Sequence, residues 1–216
     1  MSEGPPVLDI VKPPEINKGI FTPETTHNFL AGVEQVKQGE FVYIPQFMDA
    51  QNVASIRQEL LTKFFGLSNE KERPPRSMTG HIPEDHLFTY PNVEKLLSED
   101  GAFNDLLRNA GYSDHRFRDI GLRYWIDRGV ALHTDHTEDT KMLLGPVNVG
   151  LSLAGEADFT ARTAQGDKTV LLKPGDLYLF PTGMKHEVSA PHGNGTRLAI
   201  TASDITTQKH DFANGM

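Results

Sequence analysis

The chain has 216 residues, 38% hydrophobic and 23% charged, with a formal net charge of −8. That balance fits one globular domain, too apolar for a disordered chain and too polar for a membrane protein, and its acidity argues against long nucleic acid as a partner. Cysteine is absent, which excludes disulfides, thiolate-held zinc, iron–sulfur clusters and a thiol nucleophile, so any metal must be held by carboxylates and the nine histidines.

The N-terminus, MSEGPPVLDIVKPPEINKG, has neither a basic n-region nor an apolar h-region. No apolar run approaches the roughly 18 residues of a spanning helix, so the expected location is cytoplasmic, with no membrane partner. Residues 1–38 carry Pro5, Pro6, Pro13, Pro14 and Pro23 and read as an extended arm. A single domain is predicted over 39–204, with helical support and a lid region at 39–115, a β core at 116–204 and a tail at 205–216. It opens with a short strand at Phe41–Ile44. Asp49 is placed to cap a helix through Phe65, with Val53, Ile56, Leu60, Leu61 and Phe64 at helical spacing and Gly66 as its stop. Residues 67–91 read as a long polar loop, of the kind that serves as a lid or binding loop. A helical stretch is predicted over Val93–Ala110. From Arg116 the chain breaks into about eight short β-type runs separated by Gly, Pro and Asp. This is the pattern of a β-sandwich or jelly roll, so the fold class is mainly β with flanking helices.

The chemistry concentrates at Ala131-Leu132-His133-Thr134-Asp135-His136. Side chains at i and i+2 of a strand share a face, so His133 and Asp135 point together into the barrel. His186, 51 residues after Asp135 and just past a tight turn, supplies a second imidazole. Two His and one carboxylate occupy one face of an octahedral metal. Three positions stay open, which suits iron(II) that must take a chelating cosubstrate and dioxygen. Arg197 begins a strand on which Ala199, Thr201 and Ser203 share its face. An inward Arg beside small and hydroxyl side chains makes a pocket for a carboxylate, which its fork binds bidentately.

The set His133-x-Asp135, His186 and Arg197 resembles the iron(II)/2-oxoglutarate-dependent dioxygenase superfamily over roughly residues 116–203. The resemblance implies a double-stranded β-helix (jelly roll), with the two His and the Asp on iron and Arg197 on the distal carboxylate of 2-oxoglutarate. It also implies oxidation of a substrate with release of succinate and carbon dioxide. The core is similar to the AlkB-like branch, through Arg123-Tyr124 and the strand Pro146–Leu153. That likeness implies a hydrogen bond from Tyr124 to the cosubstrate, with Thr201 or Ser203 assisting. Two positions depart from that branch: its Asn is Leu122 here, and its second Arg is Ser203. With the acidic charge, these departures favour a small-molecule substrate over nucleic acid. The Asp ligand favours hydroxylation over the halogenation of relatives with Gly or Ala there. His136 and Glu138 lie just past the ligand pair, and Arg76 and His81 lie on the long loop; all four are candidate substrate contacts. Trp125 alternates with Tyr124 and is expected to face away and pack. Two alternatives stand beside this reading: AlkB-like oxidative demethylation of nucleic acid or protein, and a cupin-like metal-binding module without turnover.

Overall fold

The computed structural model describes residues 20–67, 77–112, 115–135, 144–193 and 195–206. Two antiparallel sheets face each other. The larger has six strands in the order β1 (Val42–Ile44), β8 (Leu177–Pro181), β5 (Leu144–Ala154), β10 (Arg197–Thr206), β3 (His115–Trp125) and β2 (Met78–Ile82). The smaller has four, β4 (Val130–His133), β9 (His186–Val188), β6 (Ala157–Thr163) and β7 (Gly166–Leu172). This is the jelly roll expected from the turn-punctuated β runs, and every strand of that reading is present.

The larger sheet has two buried faces, each set by strand alternation. Leu122, Val149, Leu151, Leu198 and Ile200 point outward onto the helices and form the main core with Phe29, Val33, Leu60 and Leu106. The opposite face packs on the smaller sheet through Phe41, Trp125, Phe159, Tyr178 and Phe180. The site lies in this second layer, between the sheets.

Among the described residues, four helices cover the outer face. The first, α1 (Pro23–Lys37), corrects the extended reading of residues 23–37. Pro23 stands in the first turn, where its missing N–H costs nothing, so it starts a helix instead of preventing one. Thr22 and Thr25 form a reciprocal cap, and Phe29, Val33 and Val36 supply the buried stripe. The second, α2 (Ala50–Glu59), follows the sequence closely. The Asp49 side chain accepts from the Asn52 N–H at 2.9 Å, and a π turn at Leu60–Phe64 carries the helix to Gly66 at φ +68. The helical stretch expected over Val93–Ala110 is two helices, α3 (Pro91–Leu97) and α4 (Ala102–Asn109). They meet at Gly101, where a Cβ would lie 2.7 Å from the Leu96 carbonyl, so only glycine allows the close turn. Asn104 then donates to the Ser98 carbonyl at 2.8 Å and accepts from the Phe117 N–H at 2.6 Å, tying the helices to β3.

The stretch expected as a long loop also contains regular elements. Residues 78–82 form edge strand β2, with His81 opposite Gly121, and a 3₁₀ turn spans Glu84–Thr89. A second polar anchor is Asp176, almost fully buried in the turn before β8. Its carboxylate accepts from Gln46 N at 2.9 Å, Lys173 N at 2.7 Å and the Tyr43 hydroxyl at 2.8 Å. Burial and this carboxylate push the Tyr43 hydroxyl up to about 12.

Candidate metal and cosubstrate site

β4 and β9 pair so that His133 lies opposite His186, and Asp135 follows two residues beyond the end of β4. The ligand atoms of these three side chains all lie within 4.8 Å of one another. Asp135 Oδ1 is 3.2 Å from His133 Nε2 and 3.5 Å from His186 Nε2. Each imidazole is held from behind: His133 Nδ1 donates to the Ala131 carbonyl at 2.8 Å, and His186 Nδ1 to the Met184 carbonyl at 3.1 Å. A carbonyl can only accept, so both Nδ1 atoms carry the proton and both Nε2 lone pairs face the carboxylate. Without a cation, the His133–Asp135 contact needs a further proton on Nε2; a divalent cation takes that proton's place. The charge pattern agrees. Burial alone would raise the Asp135 carboxyl, but its contacts with His133 and His186 outweigh burial and hold it well below the usual carboxylate range. The contact with Asp135 raises His133, against burial and the nearby Arg123 charge. The donor set and its fixed tautomers fit a two-His, one-carboxylate metal.

Phe159 stacks on the His186 ring at 5.3 Å and Phe180 lies against it at 4.7 Å, so an apolar wall backs this imidazole. The cavity in front is lined by His133, Asp135, His186, Tyr178, Trp125 and Arg197, among others. Arg197 is 1% exposed, and no carboxylate pairs with it among the described residues. Its Nη2 donates to the Tyr178 hydroxyl at 3.4 Å, and its guanidinium lies 5.2 Å from the Trp125 ring. Gly150 makes this possible, since a Cβ there would stand 2.0 Å from the Tyr178 ring.

The expected site residues are thus partly brought together. His133, Asp135, His186, Arg197 and Thr201 line one cavity. Tyr124 does not. It pairs with Leu198, faces the helices and packs 5.2 Å from the Phe65 ring. Trp125 pairs with Arg197 and faces the site in its place. Directly opposed residues share a face, so an inward Arg197 requires an inward Trp125 and an outward Tyr124. Ser203 is also displaced from the Arg197 pocket: six residues of strand and a bulge after Thr201 carry it into an adjoining cavity. His81 lines that second cavity, together with Arg123 and Asp135. Arg76, His136 and Glu138 lie outside the described residues. Sequence reasoning missed Tyr178, Arg123 and Trp125. The signal for Trp125 and Arg123 was the strand register, whereas Tyr178 read as one more apolar position of a buried strand.

Solved structures resemble the fold. A prolyl hydroxylase of Trichoplax adhaerens, in complex with a hypoxia-inducible-factor oxygen-degradation-domain peptide, superposes with a TM-score of 0.62 at 15% identity over 89% of this chain and 95% of that one. A 2OG-Fe(II) oxygenase family protein of Burkholderia pseudomallei gives 0.60 at 14% identity, over 88% and 92%. The fold is that of the 2-oxoglutarate/iron(II) oxygenases. Another protein with this oxygenase fold, HygX of Streptomyces hygroscopicus with nickel and 2-oxoglutarate bound, gives 0.59 at 14% identity, over 82% and 87%. No protein-family model matches the chain. Among curated proteins, an RNA replication protein of Indian citrus ringspot virus is 30% identical over 135 residues, which are 59% of this chain and 7% of that protein. The chain therefore spans only a small part of that relative's length.

Proposed function

We propose that the protein is an iron(II)- and 2-oxoglutarate-dependent oxygenase that hydroxylates a small molecule, with release of succinate and carbon dioxide. The observation that carries this reading is Arg197, buried without a carboxylate partner among the described residues and facing the same cavity as His133, Asp135 and His186. A buried guanidinium calls for an anion, and a dicarboxylate cosubstrate supplies one within reach of the metal ligands.

His133, Asp135 and His186 would hold the iron; Arg197 and Tyr178 would hold the distal carboxylate of 2-oxoglutarate. Bound iron and 2-oxoglutarate supply the oxidising chemistry, dividing dioxygen between succinate and product. The chain's own part is orientation and exclusion of water. The Ala131 and Met184 carbonyls fix the two imidazoles, Phe159 and Phe180 keep the His186 side dry, and Trp125 covers the guanidinium. Anaerobic addition of iron(II) and 2-oxoglutarate should give a weak visible charge-transfer band, and air should then yield succinate. No band and no succinate from the wild type would refute the proposal.

One observation favours a second reading, oxidative demethylation of nucleic acid: the 30% identity to a segment of a viral RNA replication protein. Formaldehyde released from a methylated oligonucleotide, and not from small amides or acids, would select it. A local basic groove would favour this reading, and the candidate stretch for one, Lys71, Arg73 and Arg76, lies outside the described residues.

A further inference from the structure

Asn148 is 2% exposed on the inward face of β5, yet neither its amide nitrogen nor its oxygen finds a hydrogen-bond partner among the described residues. An unpartnered buried amide is costly, and native chains keep few of them without a use. Its cross-strand neighbours are Phe180 on β8 and Ser203 on β10, and all three line one cavity of about 160 Å³ with His81, Arg123 and Thr201. That volume suits one functional group rather than a whole drug-sized ligand. Asp135 and Thr201 also line the Arg197 cavity, so the two spaces meet at the metal ligand. Arg197 and Tyr178 belong to the first space only, Asn148 and His81 to the second only. Arg123 lines both, and no carboxylate pairs with it among the described residues. Gly121 gives its guanidinium room, since a Cβ there would lie 2.9 Å from Nη1.

We propose that this second cavity is the substrate's recognition site and that Asn148 is its specificity-determining residue. It reads the adjacent N–H and C=O of a small carboxamide or lactam placed beside Asp135. The inference rests on the oxygenase reading above for its chemistry, though not for its binding. A carboxamide side chain offers one donor and one acceptor side by side, the complement of such an edge. Arg123 adds donors for a further carbonyl or anionic group on the same molecule. A site built from buried polar groups discriminates strongly, because a ligand lacking the matching group leaves them unpaired.

The test measures binding of 2-pyrrolidone and of cyclopentanone, which lacks the N–H, by ligand-observed NMR. It uses wild type and Asn148→Leu, each with and without nickel(II) and 2-oxoglutarate. The wild type should prefer 2-pyrrolidone, and Asn148→Leu should bind it about tenfold more weakly. The variant should also melt a few degrees higher, because an unsatisfied buried amide has been replaced by an apolar side chain. Equal affinity for the two probes, no binding to the wild type, or a lower melting temperature in a folded Asn148→Leu would overturn the proposal. Should Asn148→Leu not fold, the affinity ratio in Asn148→Ser decides. Failure to load nickel and 2-oxoglutarate counts against the oxygenase reading alone, since the binding comparison is also made without them.

Discussion

Arg197 is the residue on which the cosubstrate assignment turns. Its guanidinium is fixed by Tyr178 and Trp125 but neutralised by no described carboxylate. Arg197→Leu should therefore weaken 2-oxoglutarate about a hundredfold, as expected for loss of charge-assisted hydrogen bonds, and Arg197→Lys should restore only part of it; titration of 2-oxoglutarate into the nickel-loaded protein measures both. Tyr43 makes a different prediction, about pH. Its folded-state pKa stands at about 12 against an ordinary 10. Between these values the unfolded chain has lost the proton and the folded chain has kept it. The stabilisation is therefore complete below pH 10 and disappears as pH rises towards 12. Alkaline denaturation of Tyr43→Phe should lack this component while starting about 1 kcal/mol less stable at neutral pH, from the lost bond to Asp176. At this scale the grouping of His133 with Asp135 was legible, because His133-x-Asp135 needs only the two-residue period of a strand. Tyr178 was not, because its role depends on the empty space that Gly150 leaves on a neighbouring strand.

The pairing of β4 with β9 is what converts sequence-distant histidines into a site. It puts His133 directly opposite His186 and Val130 opposite Val188. Gly129 leads into β4, and a Cβ there would stand 2.0 Å from the Val188 carbonyl oxygen. Gly129→Ala should separate these strands and lower metal affinity by at least about tenfold, while circular dichroism shows the rest of the sheet intact; unchanged nickel affinity would show that the pairing does not set the ligand geometry. The strands were readable because Gly, Pro and Asp punctuate them at short intervals. Elements whose stability comes from partners were not. α1 was hidden by a proline that reads as a breaker until its place in the first turn is known. β2, with the sequence Met-Thr-Gly-His-Ile, carries little strand signal of its own and forms by pairing along β3.

Across the whole molecule, the two cores differ in make-up. The helices bury the outer face of the large sheet, and α1 joins that core through Phe29, Val33 and Val36, so the helical support begins well before residue 39. The inner layer gives up aliphatic packing to aromatic rings, Arg197, His133, Asp135 and His186. Stability and chemistry are thereby separated, and metal binding should add to stability in proportion to loading. Nickel(II) at a hundred times its dissociation constant should contribute about 2.7 kcal/mol, or about 5–10 °C in melting temperature, reversible by chelator and absent in Asp135→Ala. Among the described residues no helix is long and apolar enough to cross a membrane.

His133, Asp135, His186 and Arg197 are proposed to hold iron(II) and 2-oxoglutarate together. Anaerobic titration of 2-oxoglutarate into the iron(II)-loaded protein, followed by visible absorbance, tests it most directly. The wild type should give a saturable charge-transfer band, Asp135→Ala none, and Arg197→Leu a band only at much higher 2-oxoglutarate. A wild type without the band, or an Asp135→Ala protein that forms it with undiminished affinity, would show that these residues do not hold iron(II) and 2-oxoglutarate.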